Sequence, residues 1–83
     1  MNATLNTKDF LYLFNVVLKN GSKTKDVYEF SNIRAWHDAD GYTCWVAYKD
    51  LTVTMLFHGK LGLDFEKEDT FKEFHKLLNS LIK

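Results

Sequence analysis

Apolar residues recur with a helical period at both ends of the chain. Near the start they follow the i, i+3, i+4, i+7 spacing that forms one stripe on a helix: Phe10, Leu13, Phe14 and Val17. Towards the end the same spacing is made by Phe71, Phe74, Leu77, Leu78 and Leu81. The pattern predicts one amphipathic helix over residues 7–20 and a second over residues 67–82.

Residues with capping chemistry flank the first predicted helix. Asn6 is suited to accept a hydrogen bond at its N-terminus, and Asp9 places a negative charge in its first turn. Leu5 is placed to contact Phe10 across this cap. Gly21 follows the last helical residue, where a left-handed C-terminal cap is expected.

Between the helices the apolar period changes to two, which is typical of strands. Five strands are predicted, over residues 27–30, 33–37, 42–48, 51–57 and 61–65. The connections are short, so each strand should pair antiparallel with the next and form a meander. Residues 22–26 are expected to be the loosest stretch.

Tight turns predict the register of the sheet, with Phe30 opposite Ile33, His37 opposite Tyr42, Tyr48 opposite Leu51, and Phe57 opposite Leu61. In this register one face is almost entirely apolar and suits both helix stripes. The chain is therefore predicted to be a single α+β domain over residues 1–83, in the order α-β-β-β-β-β-α, with both helices on one face.

The other face of the predicted sheet has nothing left in the chain to cover it. Its members are Val27, Glu29, Arg34, Trp36, Thr43, Trp45, Ala47, Thr52, Thr54, Leu56, Gly62 and Asp64. Arg34 is expected to lie opposite Trp45, to stack on an indole and to pair with Glu29. Two interpretations stay open: cross-strand pairs that stabilise an exposed sheet, or a binding surface. The predicted binding residues are Arg34, Trp36, Trp45, Leu56, Thr43, Thr54 and Glu29.

Composition limits the possible environments and partners. The 83 residues are 46% hydrophobic and 16% aromatic, enough for one core. Cys44 is the single cysteine, so no disulfide can form within the chain, and a cytoplasmic location is expected. Cys44 falls on the predicted core face, where we expect a buried, unreactive thiol. Eleven basic and eleven acidic residues give a formal net charge of zero, which argues against extended electrostatic binding to nucleic acid or to an anionic membrane. No apolar run predicts a membrane span.

The most site-like cluster is His37, Asp38 and Asp40, which precede Gly41. An imidazole and two carboxylates suit a divalent ion or acid/base chemistry. Asp-x-Asp-Gly is also what a tight turn requires. His58 and His75 lack the spacing of a metal pair. With no catalytic motif, we expect no enzyme activity, no cofactor and no small-molecule substrate.

A third alternative is a platform for single-stranded nucleic acid, on which bases would stack against Trp36, Trp45 and Arg34. The acidic Glu29 and Asp64 on the same face and the neutral chain oppose it.

The latter two thirds of the chain resemble a known family. The resemblance is carried by Asp-Ala-Asp-Gly-Tyr-Thr from Asp38, by Leu-Thr-Val-Thr from Leu51, by Phe-His-Gly-Lys from Phe57, and by Asp64 with Phe65. These motifs are similar to an uncharacterised family of small bacterial proteins, a domain of unknown function. The resemblance implies no activity or site residues, and leaves a host or a phage or mobile-element origin open.

The sequence thus predicts a non-enzymatic interaction protein. It would be a small regulator or inhibitor of a partner protein, or a homodimer, binding through the uncovered sheet face. The general build is also similar to that of phage or mobile-element inhibitors of host toxins or defence enzymes. A metal-binding protein or enzyme centred on His37, Asp38 and Asp40 is the competing class.

Overall fold

The computed structural model describes residues 6–56 and 59–82. Two helices enclose six strands in the chain order α1 (Thr7–Asn20), β1 (Ser22–Thr24), β2 (Val27–Phe30), β3 (Ile33–His37), β4 (Cys44–Tyr48), β5 (Leu51–Met55), β6 (Leu61–Asp64) and α2 (Glu68–Ile82). The first helix has its predicted bounds, and the second begins one residue later than predicted. The expected contact of Leu5 with Phe10 lies outside the described residues.

The six strands form one antiparallel sheet in the order β1-β2-β3-β4-β5-β6. All five predicted strands are present, but the count of five is wrong because β1 was expected to be loose. β1 has only exposed side chains, so no alternation marks it. Lys25 adopts a left-handed conformation, with φ of 57°, in the turn between β1 and β2. Backbone pairing, with Lys23 opposite Tyr28, then completes the strand.

The register matches the prediction at two hairpins and differs by two residues at the others. Phe30 pairs with Ile33, and Tyr48 pairs with Leu51, as predicted. His37 pairs with Cys44 instead of Tyr42, because residues 38–43 form a longer loop. Leu61 pairs with Met55, whereas its predicted partner Phe57 lies outside the described residues. A two-residue shift keeps every side chain on its predicted face.

Both helices pack on one face of the sheet and form a single core with it. The buried helix residues of this core are Phe10, Leu13, Phe14, Val17, Phe74 and Leu78. The buried sheet residues are Ile33, Ala35, Cys44, Val46, Leu51 and Val53. Burial of these side chains is the main driving force for the fold, and all of the sheet residues among them lie on the face that the helices cover.

The two ends of α1 show different outcomes for the predicted caps. The Asn6 side chain accepts a hydrogen bond from the Asp9 N–H at 2.8 Å, as predicted. The left-handed cap at Gly21 is wrong, since its φ of −85° and ψ of 168° are extended. A Cβ at Gly21 would lie 2.5 Å from the Val17 carbonyl oxygen and 2.6 Å from that of Glu29. Glycine is therefore needed there for close approach between the helix end and β2.

Candidate functional site

Two tryptophans lie side by side on the face of the sheet that the helices leave uncovered. Trp36 of β3 pairs directly with Trp45 of β4. Their ring centroids are 5.8 Å apart and their planes are 14° from parallel. Ile33 and Ala35 of the same strand are fully buried on the helix side, so alternation places Trp36 on the opposite side. The indoles are half-buried by each other and by the sheet.

Two rows of side chains cross this open face. The tryptophan row is Trp36, Trp45, Thr54 and Gly62, from β3 to β6. The charged row is Glu29, Arg34, Ala47, Thr52 and Asp64, from β2 to β6. Large residues therefore occupy β3 and β4 in the tryptophan row, and small residues occupy β5 and β6.

This order of sizes gives the open face a stepped relief. A Cβ built on Gly62 would meet no heavy atom within 4 Å, so the surface over β6 is open. Thr54 on β5 is half-buried. Beyond the tryptophan row, Leu56 is 39% exposed and Thr43 is half-buried. The predicted binding residues thus share one surface, with a ridge of two indoles beside a depression.

The expected environment of Arg34 is wrong both in its partner across the strands and in its side-chain contacts. The register places Arg34 opposite Ala47 rather than Trp45, and opposite Glu29 on its other side. Within residues 6–56 and 59–82, Arg34 forms neither an ion pair within 4.0 Å nor a cation–π contact. The guanidinium is exposed, as are the carboxylates of Glu29 and Asp64. These charges are available to a second molecule.

The His37–Gly41 cluster forms a turn. One Asp38 carboxylate oxygen accepts hydrogen bonds from the N–H groups of Tyr42 at 3.1 Å and Thr43 at 3.4 Å. The Asp38 carbonyl accepts from Gly41 N–H at 3.1 Å and from His37 Nδ1–H at 2.8 Å. Gly41 has φ of 76°, which favours glycine.

No group of three metal-binding side chains comes together in the described part of the chain. Asp38 has one carboxylate oxygen committed to the loop backbone, and Asp40 is exposed. His58 lies outside the described residues, and His75 on α2 lies beside Phe71 with ring centroids 6.3 Å apart. The geometry therefore favours the turn interpretation of this cluster.

A shallow cleft of about 250 Å³ lies next to this turn, at the corner of the sheet. Its lining includes Lys23, Asp26, Tyr28, His37 and Asp38. The Lys23 ammonium lies 5.5 Å from the centroid of the Tyr28 ring. This cleft could not be predicted from the sequence, because β1, which supplies Lys23, has no alternation of apolar residues.

Cys44 is buried on the core face, as predicted. Burial, and then the negative charge of Asp38, raise the pKa of its thiol above the ordinary 9.0. A raised pKa disfavours the thiolate, which is the reactive form. The thiol is thus suited to packing and unsuited to nucleophilic chemistry.

Neither described helix has the length and apolar character needed to cross a membrane.

Comparison with known proteins identifies the family but no activity. No curated protein and no solved structure matches the chain. One family model, described as a protein of unknown function (DUF3081), matches residues 5–83. That match includes the helical start of the chain as well as the motifs after Asp38, and the chain belongs to this family.

Proposed function

We propose that this protein is a non-enzymatic interaction protein that binds another protein chain through the open face of its sheet. It would act as a small regulator or inhibitor of that partner, or as a homodimer. The observation that carries the proposal is the stacked pair of Trp36 and Trp45 at the centre of an uncovered face. Tryptophan is among the residues that contribute most to protein–protein binding energy.

The surroundings of the indoles support a protein interface. Aromatic residues stand at the centre, and a rim of threonines and charged side chains surrounds them, as in interfaces between proteins. The stacking contact holds both rings in place, so binding would cost little side-chain entropy. The exposed Leu56 extends the apolar area beyond the indoles.

The charges on the open face favour a protein over a nucleic acid. Arg34 is accompanied by the carboxylates of Glu29 and Asp64 in the same charged row. A surface that follows a phosphate backbone needs an excess of basic side chains. The whole chain is neutral, with eleven basic and eleven acidic residues. A cytoplasmic location belongs to the same proposal, because the single cysteine is free and buried.

Tryptophan fluorescence tests the proposal directly, since the two tryptophans of the chain both lie on the open face. Proteins retained by the immobilised chain would be purified and titrated against wild type, Trp36→Ala and Trp45→Ala. Tyr12→Ala is the matched control, because Tyr12 is 49% exposed on α1, away from the open face.

A true partner should protect both indoles from quenching by acrylamide. Each tryptophan variant should weaken its binding about tenfold or more, as expected for a central aromatic residue, and Tyr12→Ala should bind like wild type. The proposal fails if every protein that binds, including a second copy of the chain, leaves the indoles open to quenching. It also fails if the tryptophan variants bind as tightly as the control.

A further inference from the structure

Face-to-face packing of two sheets places a size limit on opposing side chains. Packed sheets lie about 10 Å apart, with side chains of both inner faces sharing that space. Two indoles placed directly opposite each other would overfill this layer. Each indole therefore needs a small residue opposite it.

The tryptophan row supplies its own small residues. Consider a two-fold axis that lies in the interface, runs parallel to the strands and passes between β4 and β5. Rotation about this axis places β3 of one copy opposite β6 of the second copy, and β4 of one copy opposite β5 of the second. Trp36 then faces Gly62 of the second copy, and Trp45 faces Thr54 of the second copy. The same axis repeats both contacts in the other direction, as a closed two-fold interface requires. The ridge of each copy enters the depression of the other.

The charged rows of the two copies are complementary about the same axis. Arg34 on β3 faces Asp64 on β6 of the second copy, and the pair occurs twice. Ala47, which its neighbours already bury within one copy, lies over Thr52 of the second copy, so no like charges meet there. Glu29 on β2 lies outside the four overlapping strands, at the rim. The neutral chain adds no net repulsion between copies.

We infer that the occupant of the open face is a second copy of this chain, packed about the two-fold axis between β4 and β5. This inference rests on the proposed function and names its partner. Four strands about 4.8 Å apart and about 17 Å long cover on the order of 300 Å² in each copy. Stable complexes bury about 800 Å² per partner. The dimer is therefore a weak, concentration-dependent one.

Charge reversal tests this axis. Arg34→Asp places two carboxylates opposite each other at each contact, and Asp64→Arg places two cations there. Either variant alone should weaken dimerisation about tenfold or more, because like charges are then forced together. An equimolar mixture of the two variants should dimerise again, because each contact then joins opposite charges. Lys72→Asp on exposed α2 is the matched control and should dimerise like wild type.

Filling the depression gives an independent test. A Cβ at Gly62 meets no heavy atom within 4 Å in the monomer, whereas the side chain of Gly62→Leu occupies the position that Trp36 of the second copy requires. Sedimentation velocity from low micromolar to near-millimolar concentration should show wild-type dimers and Gly62→Leu monomers. Circular dichroism and thermal melting confirm that each variant is folded.

The outcomes separate this inference from the proposed function. A wild-type chain that is monomeric throughout the concentration range overturns the inference of a dimer. If another protein then shields the indoles, the proposed function still stands, with that protein as the partner. A wild-type dimer that survives Gly62→Leu also overturns the inference, and so does a charge-variant mixture that stays monomeric. Restored association in that mixture, together with loss of the dimer in Gly62→Leu, supports the inference.

Discussion

The Asp50 carboxylate, in the turn between β4 and β5, accepts a hydrogen bond from the Lys67 backbone N–H at 3.0 Å. The same oxygen accepts from the Glu66 N–H at 2.7 Å. Both donors lie just before α2, so a residue distant in sequence satisfies N–H groups at the start of this helix. The contact fixes the start of α2 against the end of the sheet where β4 turns into β5.

Asp50 should make the stability of the protein sensitive to acid. A side-chain hydrogen bond with Thr70, and then the backbone N–H groups of Glu66 and Lys67, lower the Asp50 pKa from 3.8 to about 2. A lowered pKa means that the stabilisation is complete above about pH 4 and is lost as the pH falls towards 2. Asp50→Asn should melt lower at neutral pH but lose less stability across that window. Thermal melts at a series of pH values test this.

Asp40→Asn is the control for this experiment, because its exposed side chain lies in the loop at the other end of β4. This variant should keep the wild-type dependence of melting temperature on pH. Parallel curves for wild type and Asp50→Asn between pH 4 and pH 2 would contradict the role given to Asp50.

Two glycines should respond in opposite ways to the same substitution. Gly21→Ala forces a Cβ to within 2.6 Å of two backbone carbonyl oxygens, and should lower the free energy of unfolding by about 1–3 kcal/mol. Gly62→Ala meets nothing within 4 Å and should change it by less than about 0.5 kcal/mol. Urea unfolding of both variants gives the comparison. Equal stabilities would show that α1 does not end as tightly against β2 as described.

The Asp38 carboxylate should matter to the fold and not to metal binding. Asp38→Ala removes the acceptor for the Tyr42 and Thr43 N–H groups, and should lower the free energy of unfolding by about 1 kcal/mol. Asp40→Ala, in the same loop, should have less than about half that effect. Zinc or manganese should leave the wild-type melting temperature unchanged. A metal-dependent rise that His37→Ala abolishes would favour the metal site instead.

The Cys44 thiol should be protected in the folded protein. Its burial and raised pKa both oppose formation of the thiolate. A coloured aromatic disulfide reagent should therefore label the native chain only as fast as the domain opens, and should label the urea-unfolded chain at once. Rapid stoichiometric labelling of the native protein would contradict the position of Cys44 in the core.

The pattern of apolar residues was sufficient to predict both helices and the two faces of the sheet. The assignment of side chains to the two faces is correct despite the errors in register, because both errors were of two residues and side chains alternate with a period of two. For that reason the placement of Trp36 and Trp45 on the uncovered face is confirmed, although their direct pairing was not predicted. The sixth strand was missed because β1 is held by backbone hydrogen bonds and buries no side chain.

Local details of the open face depended on a loop whose length the sequence does not mark clearly. The predicted pairing of His37 with Tyr42 left four residues, 38–41, in this loop. The Asp38 carboxylate instead accepts hydrogen bonds from the Tyr42 and Thr43 N–H groups, and the loop extends over residues 38–43. In the register that this loop sets, Trp45 pairs with Trp36 rather than with Arg34. The matching of large and small residues across the strands followed from that change, so it could be recognised only in the structure.

The consecutive order of the strands also bears on how fast the chain folds. Each strand pairs with the one that follows it, so hairpins can close one after another over short loops, and docking of the two terminal helices brings in the longer-range contacts. Chains rich in such local contacts fold rapidly. The sequence contains no proline, so slow peptide-bond isomerisation should not delay folding. The meander thus favours refolding in one fast kinetic phase.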